Sequence, residues 1–223
     1  MRKIYNYSLR NFFKYATVVF ILALTSCNQI FDVYTNPKLS SYNIHKIALL
    51  PMVWDDTTEE GTFYSTNHFI NKIYNEREGI ELADIDSLRK LNCDTVVTMF
   101  DKIGDRNEIN LDSIFASPIG SYLNYERCDA ILVGTIDSAW VHERNTVSDH
   151  SEWASMYCRF NYYLFSLRDG NLLWRIRVQG SDDNYVSLDN AVFPPLDESI
   201  SSGIDFFFDL FPFKKKEVIN QPW

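Results

Sequence analysis

The feature that most constrains the fold of this chain is a pair of apolar segments, 161–167 and 172–178, with Asp169-Gly170 between them. An Asp-Gly pair in that setting is a strong hairpin signal, because a type I′ turn needs positive φ at both central residues. If Arg168 and Asn171 flank a two-residue turn, Leu167 faces Leu172, Phe165 faces Trp174, Tyr163 faces Ile176 and Asn161 faces Val178. All of that row except Asn161 is apolar. The other row sets Ser166 against Leu173, Leu164 against Arg175 and Tyr162 against Arg177. A one-residue slip would scramble the separation, so burial of one face specifies the register. The first strand is predicted over about 153–167, after an earlier strand that reaches about His142.

Two other runs, 46–52 (KIALLPM) and 129–136 (DAILVGTI), are continuously apolar, the pattern of strands covered on both faces. Between them the period becomes helical. Tyr64, Asn67-His68, Ile70 and Ile73-Tyr74 share one face of a helix that ends near Gly79. Ile80 to Ala83 reads as a short strand. Asp84 and Asp86 are caps for a helix carrying Ile85, Leu88 and Leu91, and a second short helix follows Asp94 through Val97, Phe100 and Ile103. Residues 104–110 form a polar loop, and Pro118 with Gly120 should kink or divide a helix over 111–126. Pro194-Pro195 precede a last amphipathic helix, about 197–210, whose stripe is Ile200, Ile204, Phe207, Phe208 and Phe211. Residues 213–223 are expected as a loose tail. Alternation of strands and helices predicts an α/β class, with a long antiparallel hairpin in the second half.

The chain begins like an export signal. Arg2, Lys3, Arg10 and Lys14 precede an apolar run, 16–24, that is about half the ~20 residues needed to cross a bilayer. It closes on Leu24-Thr25-Ser26-Cys27, which resembles the bacterial lipobox. That resemblance implies cleavage after residue 26 and lipidation of Cys27, with several acyl chains giving firm attachment. Asn28, rather than Asp, follows the cysteine, which favours the outer membrane. Residues 27–43 would then be the lipidated cysteine and a flexible tether, and 44–212 a single domain.

Composition narrows the partners. The signal holds four of the 21 basic residues and none of the 30 acidic ones, so the remainder carries 17 against 30 and a formal charge of −13. Such a surface disfavours nucleic acid and gains nothing from anionic headgroups, so membrane attachment must come from the lipid on Cys27. Cys93, Cys128 and Cys158 are an odd set without Cys-x-x-Cys spacing, which reads as core thiols with one disulfide open to them. The 16 Phe, 13 Tyr and five Trp suit a sheet-containing core or an interface equally well.

No constellation specifies catalysis. His142-Glu143 with Asp149-His150 and Glu152 flank a hairpin loop and offer zinc-type ligands, but without His-Glu-x-x-His spacing, and a solvated loop has the same composition. Asp55-Asp56, Glu59-Glu60 and Asp182-Asp183 are carboxylate pairs with nothing to define a substrate. Cys128 lies before a buried strand, as a core thiol would. The eight glycines form no phosphate loop and no nucleophile elbow. No cofactor, catalytic residue or metal ligand is assigned. Phe206 and Phe213 fall off the last helix's stripe and are the better interface candidates.

Taken together, the lipobox, "IHKIALLPM", "CDAILVGTI" and the late hairpin "YYLFSLRDGNLLW" resemble a group of bacterial envelope lipoproteins. The group is related to the curli secretion channel CsgG, the penicillin-binding-protein activator LpoB and the TolB amino-terminal domain, and the nearest pattern is a small single-domain lipoprotein branch. The likeness spans about 44–180. It implies a three-layer α/β domain with a mixed central sheet and non-enzymatic work, binding an envelope protein during assembly or secretion, with a homo-oligomer compatible. The acidic turn at 55–60 and the segment around 92–110 depart from the pattern. One alternative is a subunit of an oligomeric secretion channel, but in 134–143 one strand row carries Thr135, Asp137 and Glu143 and the other Ser138 and His142, and neither makes a lipid face. The other alternative, a metal-dependent hydrolase, depends on His142 and His150.

Overall fold

A computed structural model describes residues 28–52, 59–84, 107–146, 151–187 and 195–217. Six strands form one sheet: β1 (Gln29–Thr35), β2 (Lys46–Leu49), β3 (Glu81–Leu82), β4 (Ala130–Thr146), β5 (Ser151–Ser166) and β6 (Leu172–Ser187), in the order β1-β6-β5-β4-β2-β3. β2 runs parallel to β3 and β4, and every other pairing is antiparallel, so the sheet is mixed. Helices α1 (Glu59–Glu76), α2 (Leu111–Phe115), α3 (Pro118–Glu126) and α4 (Leu196–Phe207) complete the described elements, with single 3-10 turns at Leu39–Tyr42 and Phe208–Leu210.

The continuous apolar runs are explained by two cores, one on each face of the sheet. On the first face, Phe69 and Ile73 of α1 and Ile200, Ile204 and Phe207 of α4 pack over Leu132, Phe160, Tyr162, Leu164, Trp174 and Ile176. Phe69 is the hub, its ring centre 4.6 Å from that of Tyr162 and 5.4 Å from that of Phe211. Each such fully buried aromatic contributes about 1.5–3 kcal/mol relative to exposure. On the second face, Ile114 of α2 and Ile119, Tyr122 and Leu123 of α3 cover Ile131, Val133, Tyr163 and Phe165. Helices above, sheet between and helices below make the expected three layers.

Pro118 does divide the 111–126 helix. It takes the first position of α3, where its missing N–H costs nothing, while Asn110 caps α2 by accepting from the Ser113 N–H at 3.2 Å. The stripe of α4 is buried as predicted, from Ile200 to Phe211.

Three expectations are corrected. The hairpin does not use a two-residue turn. Leu167 to Gly170 form a four-residue loop in which the Gly170 N–H returns to the Ser166 carbonyl at 3.0 Å, and Gly170 takes φ +75°. Phe165 then faces Leu172 and, across a bulge that absorbs Leu173, Leu164 faces Trp174, Tyr162 faces Ile176 and Phe160 faces Val178. This register places Tyr162 and Leu164 with Trp174 and Ile176 in one core, where the two-residue turn would have set them against the arginines. Second, part of the 27–43 tether is a strand: β1 pairs with β6 from Gln29↔Gln179 to Thr35↔Trp174. Third, the start of the tail is held, the Glu78 N–H donating to the Lys214 carbonyl and the Lys216 N–H to the Glu76 carbonyl. The expected helices at 85–103 lie outside the described residues.

Candidate protein-binding surface

Strand alternation decides what the second face shows beyond its helices. Cys158, Phe160 and Tyr162 of β5 point into the first core, so Tyr157, Arg159 and Asn161 point the other way. β6 presents Arg175, Arg177 and Gln179 opposite Tyr163, Asn161 and Arg159, and β1 adds Asp32 and Tyr34 opposite Arg177 and Arg175. A bulge between Ile136 and Ser138 lets Asp137 and Ser138 both serve this face.

Nearest the helices the face is polar and internally satisfied. Asn161 is 1% exposed. Its Nδ2 donates to Asp137 Oδ1 at 2.7 Å and to Thr135 Oγ1 at 3.2 Å, and its Oδ1 accepts from Arg177 Nε at 2.9 Å. Arg175 grips Asp32 through Nε at 3.0 Å and Nη2 at 2.7 Å. Burial raises the Tyr163 phenol above its usual range. With every partner paired inside the sheet, this zone stiffens the platform.

Farther along, the face turns aromatic. The Arg159 guanidinium lies 5.0 Å from the Phe31 ring centre and 5.1 Å from that of Trp140, within cation–π range of both. Trp140 in turn stacks on Tyr157 at 5.5 Å and 12°. Arg159 Nε donates to Gln179 Oε1 at 3.3 Å, which fixes the guanidinium between the rings. Phe31 is 42% exposed and Trp140 36%, while Tyr157 is almost covered by its neighbours. The result is a ladder, Phe31–Arg159–Trp140–Tyr157, with two exposed aromatic rungs on a rigid sheet. Among the described residues no helix packs over it.

Comparison with known proteins leaves this site to its own chemistry. No protein-family model matches the chain, and no curated protein matches it. Similar solved structures include the PelC dodecamer from Paraburkholderia phytofirmans, at 9% identity over 80% of this chain and 95% of that one, TM-score 0.40. Lipoprotein GNA1162 from Neisseria meningitidis is 16% identical over 74% of this chain and 98% of that one, TM-score 0.36. The hypothetical protein CT253 from Chlamydia trachomatis is 11% identical over 66% and 74%, TM-score 0.34. At such scores neither activity nor partner nor assembly carries over.

The residues singled out from sequence are scattered. Cys27, Cys93, Asp55-Asp56, Asp149 and His150 lie outside the described residues. His142 is exposed on the ladder face opposite Ser155. Among the described residues no three His, Cys, Asp or Glu side chains are placed to hold a metal ion, and no helix is long and apolar enough to cross a membrane. Burial pushes the Cys158 thiol up to about 12 and the Cys128 thiol up to about 11, the reverse of an activated nucleophile. Cys128 packs beside the second core, as a core thiol should. Phe206 is 49% exposed, whereas Phe213 folds back on Phe211 at 5.1 Å. Asp182 belongs to β6 rather than a loop and meets Glu198 of α4. The ladder itself was missed. Tyr157 and Arg159 share a face by strand alternation, but only the β4–β5 pairing sets Trp140 beside Tyr157, and only β1 brings in Phe31.

Proposed function

We propose that this chain is a non-catalytic, lipid-anchored envelope protein that binds another envelope protein during assembly or secretion through the Phe31–Arg159–Trp140–Tyr157 ladder. The ladder carries the reading. Tryptophan, tyrosine and arginine are the residues that dominate binding energy at interfaces, and here they are fixed on a sheet, so little side-chain entropy is lost on docking. The export signal and Leu24-Thr25-Ser26-Cys27 support the anchor, and Asn28 supports the outer membrane. The motifs that resemble those of CsgG, LpoB and TolB-like proteins support assembly work over chemistry.

The test is site-specific photocrosslinking in intact cells. A benzophenone amino acid at Trp140 should give one dominant protein adduct, and one at Tyr125, 83% exposed on α3, should not. Arg159→Ala should weaken the adduct at least about tenfold while the protein stays folded, the loss expected of an interface anchor. Sedimentation of the purified adduct distinguishes a second copy of this chain from a different partner. Identical adducts from positions 140 and 125, or none from 140, reject the surface.

A further inference from the structure

The residue that follows Cys27 is fastened to two elements at once. Asn28 Nδ2 donates to the Ser202 carbonyl at 3.1 Å and to Ser202 Oγ at 2.9 Å. Its Oδ1 accepts from the Ser181 N–H at 2.8 Å and from Ser181 Oγ at 3.3 Å. One side chain thus pins the first described residue to α4 and to β6, and β1 begins at the next residue. A tether of about 15 residues would have given a root-mean-square reach of roughly 20 Å. Instead, a lipid on Cys27 is joined to a fixed residue by one peptide unit, about 3.8 Å between Cα atoms.

What lies beside Asn28 sets what such a lipid would hold down. Asn28 lines a shallow depression with His68, Asp182, Glu198, Asp205 and Phe206. The acidic groups there are engaged with neighbours: Asp205 binds Lys72 Nζ at 2.9 Å and His68 Nε2 at 3.0 Å, and Asp182 shares a hydrogen bond with Glu198. Phe206 stands 49% exposed in the same depression, off the buried stripe of α4. An exposed aromatic ring next to a lipid attachment point is placed to enter the interfacial layer of a bilayer, where aromatic side chains are favoured. The surrounding carboxylates select a zwitterionic surface over an anionic one.

We infer that the lipid on Cys27 holds the α4 edge of the domain, with Phe206, directly against a zwitterionic bilayer, in place of suspending the domain on a slack tether. The inference rests on the lipidation proposed above. It also orients the binding surface, because Ser181, which Asn28 holds, faces Tyr157 and Tyr157 faces Trp140. Anchor and ladder therefore share one row across the sheet.

The test uses the full lipidated protein in phosphatidylcholine vesicles, with a benzophenone amino acid at position 206 or 125. Irradiation should give a lipid adduct at 206 at least fivefold more often than at 125. Inserting twelve Gly and Ser residues between Cys27 and Asn28, which leaves the domain untouched, should abolish that preference. So should Asn28→Ala, with retained folding checked by circular dichroism. Acylated protein that crosslinks lipid equally from both positions, or keeps the preference after the insertion, overturns the inference alone. Protein whose mass shows no acyl group on Cys27 overturns the anchor and the inference together.

Discussion

Gly180 of β6 and Gly203 of α4 touch backbone to backbone. A Cβ on Gly203 would come 3.1 Å from the Gly180 Cα and 2.7 Å from the Phe160 Cζ, and a Cβ on Gly180 would run into the Ser199 carbonyl oxygen. This contact lets α4 lie close enough to seal Phe160 and Trp174.

Gly203→Ala and Gly180→Ala should both destabilise the fold, by different amounts. Alanine within a helix gains up to about 1 kcal/mol over glycine. At Gly203 the fully buried Phe160 ring has to move, and overpacking of that kind costs about 1–3 kcal/mol, so the steric effect wins. Gly180→Ala meets backbone rather than a ring and has to lift α4 off the sheet, so its loss should be the larger. Urea denaturation measures both. Equal midpoints for wild type and Gly180→Ala would show that the helix is not held this closely.

Asn161 should be structural for the ladder without belonging to it. Asn161→Ala removes bonds to Asp137, Thr135 and Arg177 in a position that is 1% exposed. The expected loss is about 1–3 kcal/mol, since a buried side chain loses three hydrogen bonds, two of them to charged groups. Arg159→Ala, at an exposed position, should cost less stability and more binding. The reverse ranking in denaturation and partner capture would contradict the division of this face into platform and contact.

The parts of this structure that were legible in sequence are those decided locally. Pro118 splits a helix wherever it stands, and Ile200, Ile204, Phe207 and Phe211 repeat at helical spacing whatever they pack on. β1 was hidden because Ile30, Asp32 and Tyr34 alternate with Phe31, Val33 and Thr35, so neither row is purely apolar. Its pairing with β6 is a contact across more than 130 residues. The hairpin register was misread for a related reason. Asp169-Gly170 does favour a two-residue turn in isolation, but the loop is tied elsewhere, by the Ile109 N–H to the Gly170 carbonyl at 2.9 Å and by the Tyr42 hydroxyl to Asp169 at 2.9 Å. Because both sheet faces are buried near the turn, hydrophobicity by itself did not distinguish the two registers.

The Asp182–Glu198 pair should make stability fall as pH rises through the carboxylate range. The hydrogen bond with Asp182, helped by burial, raises the Glu198 carboxyl above its ordinary value of 4.5. A carboxyl raised on folding contributes stability that is complete below its unfolded pKa and lost as pH climbs past its folded one. Glu198→Gln should therefore be more stable than wild type at pH 7, by a few tenths of a kcal/mol, roughly the scale of surface charge pairs. The advantage should vanish below pH 4.5. A constant offset across that range in denaturation curves would assign the effect to packing instead.

Arg77 should be what fastens the chain's last described segment to α1. It is 2% exposed, its guanidinium lies 4.5 Å from the Phe208 ring centre, and its Nη2 donates to the Phe208 carbonyl. Burial works to lower its pKa, but an arginine starts far enough above neutrality to stay charged. Arg77→Ala leaves that carbonyl without its charged donor, an interaction worth about 1.5–3 kcal/mol. Because the Lys216 N–H docks on the neighbouring Glu76 carbonyl, loosening should spread along 208–217. Arg77→Lys can restore a donor but not the guanidinium contact over the Phe208 ring, so it should recover only part of the loss. Hydrogen exchange provides the readout: amides of 208–217 should lose protection in Arg77→Ala before those of β5 and β6 do. Uniform loss across the sheet would mean that Arg77 supports the whole domain and not this segment.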